Sequence, residues 1–206
     1  PISPKKLFVG LICLMIPILF ILGILILKEN INHKILYRSD IEKYTDYPIL
    51  GEVVYEKFDS PVVTGSGQRS FVVEQFRQIR SVLKHQMDGF STGKRILVTS
   101  SIKGDGKSFV SGNLAVSFAR SGKKVALLEM DLHQPRISEM FTIPQNVGIT
   151  DYLIGQANPE NIILKSSKHE NLSILPCGFL EEDPTELLSY DKLETLFSFL
   201  DKRFDI

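Results

Sequence analysis

At 206 residues, with 24 Lys/Arg against 24 Asp/Glu, the chain has room for one domain of ordinary size plus extras and carries no net charge. The charge is unevenly spread: 15 basic and 10 acidic residues over 1–110 give +5, and 9 basic and 14 acidic over 111–206 give −5. No basic run is dense enough for a nucleic-acid face, so no nucleic-acid partner is expected. The two cysteines, Cys13 and Cys177, do not make a disulfide framework and read as small apolar groups in a reducing compartment.

The chain opens with Pro1-Ile-Ser-Pro4-Lys-Lys, a Pro-rich segment over 1–6, and then runs uncharged through residues 7–27. Twenty-one such residues as a helix span a hydrocarbon core of about 30 Å. A secretory signal would have a shorter core and a small-residue cleavage site, and neither is present. One transmembrane helix is therefore expected, kinked at Pro17 and bordered by basic residues that face anionic lipid. Residues 28–69 read as a juxtamembrane linker with Tyr37, Tyr44, Tyr47 and Tyr55 and at most one short strand near Val53-Val54.

Over 70–87 the apolar residues Val72, Phe76, Ile79 and Leu83 recur at helical spacing. Glu74, Arg77 and Arg80 fall on another arc of that helix, either as a solvated face or as an interface with a neighbouring subunit. Residues 95–100 then read as a short apolar strand running into Ser101-Ile-Lys-Gly104-Asp105-Gly106-Lys107-Ser108. This follows the Walker A pattern G-x-x-x-x-G-K-[ST] with Ser101 in the first glycine position. Gly104 and Gly106 let the backbone aim its N–H groups at phosphate oxygens, Lys107 reaches the β- and γ-phosphates, and Ser108 ligates Mg²⁺. The helix over 109–120 adds its positive dipole end. A bound nucleotide, ATP with Mg²⁺, is the expectation. Since both are cytosolic, the C-terminal side of the membrane helix faces the cytoplasm.

Gly122 reads as the end of that helix, and residues 125–130 as a buried parallel strand closing on Glu129-Met130-Asp131. Alternation in a strand would turn Glu129 and Asp131 to one face beside the phosphate loop, where a shared cation would relieve their repulsion. Residues 136–141 and 148–153 read as short helices, 171–176 as a strand, and Asp183-Pro-Thr-Glu186 as a helix start. Leu193, Leu196, Phe197, Leu200 and Phe204 form the stripe of a last helix. This alternation predicts an α/β fold, a P-loop NTPase-like parallel sheet with helices on both faces, over residues 70–206.

Together these motifs resemble the bacterial tyrosine kinases of exopolysaccharide and capsule export, whose kinase domain is attached to a chain-length-determinant (polysaccharide co-polymerase) membrane segment. Pro1-Ile-Ser-Pro4-Lys-Lys resembles that family's approach to its second membrane helix. Glu74-x-x-Arg77-x-x-Arg80 resembles its oligomerisation motif, SSIKGDGKS its Walker A, LLEMDLHQPR its second acidic motif, and LPCGFLEEDPTELL the segment before its Walker B strand. Glu129 stands where the family has Asp, His133 where it has Arg, and Lys103 where Pro is common.

The resemblance implies transfer of the ATP γ-phosphoryl group to tyrosine. Lys107, Glu129 and Asp131 would be catalytic. Ser101, Gly104, Asp105, Gly106, Lys107 and Ser108 would hold the nucleotide, and Ser108, Asp131 and Glu129 the Mg²⁺. It also implies a homo-oligomer phosphorylating its own tyrosines at the bacterial inner (plasma) membrane, in contact with the polysaccharide export and polymerase machinery. Pro1 and the apolar start at Phe204-Asp205-Ile206 suggest a cut chain whose Walker B strand and tyrosine cluster lie beyond Ile206, so that this piece alone would be inactive. Two other readings stay open. One is a partition or septum-site ATPase, which usually has a second Lys where Ile102 stands. The other is a non-catalytic chain-length regulator with a degenerate nucleotide site.

Overall fold

The computed structural model describes residues 6–31, 38–58, 60–64, 70–89, 94–132, 134–178 and 190–206. The chain divides into two compact units, Pro1–Pro48 and Ile49–Ile206. In the first unit, α1 (Lys6–Ile31) is a continuous 26-residue helix with Pro17 inside it, about 39 Å long at 1.5 Å per residue. Its described side chains are overwhelmingly apolar and exposed, among them Leu14, Ile16, Leu19 and Phe20. Among the described residues no helix is long and apolar enough to cross a membrane. A short α2 (Arg38–Glu42) follows, pinned by Arg38 against Glu42 at 2.7 Å.

The second unit contains α3 (Phe71–Met87), α4 (Lys107–Arg120), β1 (Val125–Leu128), α5 (Ile137–Phe141), α6 (Ile149–Leu153), a 3₁₀ turn (Pro159–Ile162), β2 (Leu164–Lys165), β3 (Leu172–Leu175) and α7 (Tyr190–Asp201). Ser70 caps α3 by accepting from the Val72 amide at 3.2 Å, and Val72, Phe76 and Ile79 form its buried stripe as their spacing predicts. Gly122, at φ 86°, ends α4 in the left-handed conformation that suits glycine.

The sheet order is β1-β3-β2. β1 and β3 run parallel, with Val125 opposite Leu172 and Leu128 opposite Leu175, but β2 pairs antiparallel with β3. The sheet is therefore mixed rather than purely parallel. The turn between β2 and β3, closed by the Ser166 amide donating to Leu172 O at 2.9 Å, is too short for a parallel crossover. Both faces are covered, as expected. Val125 and Leu127 join the core made with α3, α4 and α5. Their alternate neighbours Ala126 and Leu128 pack toward the core of α6, the 3₁₀ turn and α7.

The strand expected over 95–100 is not formed among the described residues. The segment keeps a period-two exposure, Ile96 and Val98 partly buried and Leu97 87% exposed, but no ladder. A cavity of about 650 Å³, lined by Ile96, Val98, Leu114, Leu127, Leu200 and Ile206 among others, lies beside it. Side chains anchor the segment instead: Arg95 pairs with Asp201 at 2.6 Å and lies 4.6 Å over the Phe197 ring. On β1, the Ala126 amide donates to Ile206 O at 2.9 Å and the Asp205 amide to Lys124 O at 2.8 Å.

Residues read as linker belong in part to this unit. Val62, Val63 and Thr64 are buried, so packing begins well before residue 70. Near Val53 there is no strand; the Val54 amide instead donates to Gln75 Oε1 on α3 at 3.1 Å. The helix start expected at Asp183–Glu186 lies outside the described residues, and α7 runs from Tyr190 with Leu196 and Leu200 buried.

Candidate functional site

The loop from Ser101 to Ser108 leads into the N-terminus of α4. Gly104 and Gly106 both sit at φ 94°, a left-handed backbone that residues with a Cβ rarely adopt. Nothing lies within 4 Å of where a Cβ would stand on either, so conformation rather than space demands glycine. Asp105 Oδ2 accepts from the Ile102 amide at 3.2 Å and Ser100 Oγ donates to Ile102 O at 2.8 Å, which folds the loop back on itself. Gly106 O accepts the first helical bond, from the Val110 amide at 2.8 Å. The amides ahead of Val110 have no intrahelical acceptor and form the donor-rich helix end that suits an anion.

Lys107 and Asp131 meet beside this loop. Lys107 Nζ lies 3.2 Å from Asp131 Oδ2, with both side chains about one-third exposed. Asp131 Oδ1 accepts from the Gln134 amide at 3.1 Å, which fixes the carboxylate from the other side. Of the two carboxylates expected beside the loop, Asp131 is the one paired with Lys107.

Glu129 lines the same cavity as Lys107, Ser108 and Asp131 but makes its hydrogen bonds elsewhere. The residue is 2% exposed, and its carboxylate is turned to the start of α5. There it accepts from the Ile137 amide and the Ser138 hydroxyl, each at 2.5 Å, and from the Ser138 amide at 3.3 Å. The reason is local: β1 ends at Leu128, so strand alternation does not carry from Glu129 to Asp131. His133 lies outside the described residues.

On α3, Glu74 and Arg77 form an exposed pair at 3.1 Å. Arg80 leaves that face. It donates to Ser117 O at 2.6 Å and Ser117 Oγ at 3.2 Å, tying α3 to α4. Burial first, then the Arg77 charge, lower its pKa from the ordinary value. Sequence reading also passed over Asn113, fully buried on α4 and hydrogen-bonded to residues 61–64. The signal was present as one amide within the otherwise small and apolar run Gly112-Asn-Leu-Ala-Val.

Residues 91–188 match the ParA family model, described as the NUBPL iron-transfer P-loop NTPase. The chain is 31% identical over 146 residues to the protein assigned as tyrosine-protein kinase CapB of Staphylococcus aureus, covering 71% of this chain and 63% of that one. It is 34% identical over 128 residues to tyrosine-protein kinase YwqD of Bacillus subtilis, covering 62% and 53%. Its relatives are bacterial tyrosine kinases.

The kinase likeness extends to solved structure. The chimerical protein CapA2B2 superposes with a TM-score of 0.73 at 28% identity, covering 82% of this chain and 73% of that one. The fold is P-loop NTPase-like, an α/β arrangement with a mixed sheet. The chain spans less than two thirds of the length of the curated kinases it matches first.

The residues present fit a magnesium nucleotide. Two left-handed glycines shape the loop, and Lys107 and Ser108 open α4. Among the described residues no cluster of three His, Cys, Asp or Glu could cage a metal alone. One hydroxyl and one carboxylate, completed by phosphate and water, is the arrangement Mg²⁺ favours in such sites.

Proposed function

We propose that this chain is the nucleotide-binding part of an ATP-dependent protein-tyrosine kinase that phosphorylates its own tyrosines and regulates exopolysaccharide or capsule synthesis and export. The observation that carries the reading is the meeting of Lys107 and Asp131 at 3.2 Å beside a loop shaped by Gly104 and Gly106. The kinase relatives supply the reaction class.

In this reading the backbone of 104–108 and the Lys107 ammonium hold the phosphates and neutralise their charge, which is most of what such a transfer needs. Ser101 and Asp105 shape the loop. The Ser108 hydroxyl and the Asp131 carboxylate would hold Mg²⁺, which when bound would draw negative charge from the phosphates. With the Glu129 oxygens taken up by α5, Asp131 is the carboxylate left to receive the tyrosine proton. Glu129, its oxygens occupied by α5, supports the site from below rather than ligating metal. Glu74 and Arg77 offer the exposed charged face for self-association.

The N-terminal unit is proposed as the membrane anchor, because α1 is an unbroken helix over the uncharged residues 7–27 and exposes its apolar side chains. The nucleotide side then faces the cytoplasm. The match to the ParA family favours a second reading, an ATPase that releases phosphate to water.

One experiment separates them: incubate the full-length protein with γ-labelled ATP and Mg²⁺ beside Lys107→Met. Label on tyrosine, lost in Lys107→Met, is the expected result. Label found only as free phosphate supports the ATPase, and equal phosphotyrosine in both proteins overturns the kinase reading.

A further inference from the structure

The segment ahead of α3 is fastened to the phosphate-loop helix at several points, and one side chain makes most of the bonds. Asn113 is fully buried in the second turn of α4. Its Oδ1 accepts from the Val63 amide at 2.8 Å and from the Thr64 amide and hydroxyl, both at 3.1 Å. Its Nδ2 donates to Pro61 O and to Phe109 O, both at 2.9 Å. Phe109 follows Ser108 directly, so the same amide group holds residues 61–64 and the first turn of α4. The Phe109 ring in turn stacks on Phe58 at 6.0 Å between centroids and tilts against Phe76 of α3 at 5.8 Å. Arg120, at the far end of α4, donates to Thr64 O at 2.9 Å.

We propose that residues 60–64 are a strap across the phosphate-loop helix, and that Asn113 is the positioning residue through which the strap sets the pose of Lys107 and Ser108 for the nucleotide. A surface loop would need no buried amide to hold it. Here a polar side chain is spent in the core, every one of its hydrogen-bonding positions is used, and its partners lie on the strap and on the turn that carries the phosphate contacts. Nucleotide bound at the loop and strap docked on the helix then favour the same arrangement of α4. By linkage, each tightens the other.

The proposal rests on the nucleotide reading of the loop, and Mg·ADP binding to the wild-type chain, measured by calorimetry, tests that part separately. Amide hydrogen exchange tests the strap. With saturating Mg·ADP, exchange at Val63 and Thr64 should slow at least about fivefold, the low end of ordinary coupling. Leu172 and Ile174 of β3 should change little. Asn113→Ala should weaken Mg·ADP binding at least about fivefold. Leu172→Ala, a core truncation that breaks none of the strap's hydrogen bonds, should lower the melting temperature without that loss of affinity.

Equal slowing at β3 would mean general stabilisation by a ligand and would overturn the strap. So would bound Mg·ADP with no change at Val63 and Thr64, or Asn113→Ala and Leu172→Ala losing affinity alike. The wild-type exchange result stands even if Asn113→Ala does not fold. Failure of Mg·ADP to bind at all would remove the nucleotide reading and the strap together.

Discussion

Lys107 Nζ lies 3.2 Å from Asp131 Oδ2, so the cation aimed at phosphate is held by the carboxylate proposed to share the metal. The two roles can be pulled apart. Asp131→Asn should lower Mg²⁺-dependent phosphotyrosine formation at least about a hundredfold, the usual scale for losing a positioned acid or base. It should leave metal-free ADP binding unchanged or tighter, because Lys107 is released. Weaker metal-free binding in the variant, read by calorimetry, would contradict this assignment.

The carboxylate of Glu129 has a different task. It receives two amides and a hydroxyl at the start of α5, and truncation would leave them buried without acceptors. Glu129→Ala should cost about 2–4 kcal/mol of stability. Glu129→Asp, one methylene shorter, should cost less, about 1–2 kcal/mol. Both should appear in urea unfolding as a lower midpoint at unchanged slope. An unchanged midpoint in Glu129→Ala would place this side chain elsewhere.

These two acids show what was legible in the sequence and what was not. The loop, its helix and the nearness of Asp131 to Lys107 follow from residue types at fixed spacing, because a phosphate loop is a local structure. The bonds of the Glu129 carboxylate to α5 are not legible from alternation, which stops with β1 at Leu128. Residues 95–100 carry the composition of a strand, but a strand is made by a neighbour, and no ladder partner reaches them among the described residues. The two-residue β2 gives no period to read, so the antiparallel edge was missed. Residues 61–64 read as linker because what buries them is Asn113, some fifty positions on. Arg80 shares a helical arc with Arg77 yet reaches across to Ser117, a choice that helical spacing does not register.

The arginines of α3 should therefore separate. Arg80→Ala removes a charge-assisted bond to the Ser117 carbonyl and should cost about 1–2 kcal/mol. Arg77→Ala, which loses an exposed pair with Glu74, should change stability by no more than about 0.5 kcal/mol. If the Glu74–Arg77 face is a self-interface, sedimentation of the detergent-solubilised protein should show Arg77→Ala shifted toward smaller species. Equal stability losses would refute the division.

Cys177 supplies a pH test. Burial first, then the charges of Glu129, Asp131 and Asp151, push its thiol from 9.0 up to about 11. The folded thiol holds its proton where the unfolded one has lost it. Its contribution is thus fully present below pH 9.0 and is lost as pH rises toward about 11. Over that window the stability of the wild type should fall more steeply than that of Cys177→Ala, by up to about 1.4 kcal/mol per pH unit. Parallel curves would mean the thiol ionises equally in both states.

The central claim is that the loop from Ser101 to Ser108 holds a nucleotide through Lys107, and calorimetric titration with Mg·ADP tests it most directly. Wild type should bind one equivalent, and Lys107→Met should bind at least about tenfold more weakly, a loss of about 1.4 kcal/mol. Equal affinity in the two proteins, or no binding to wild type, would contradict it.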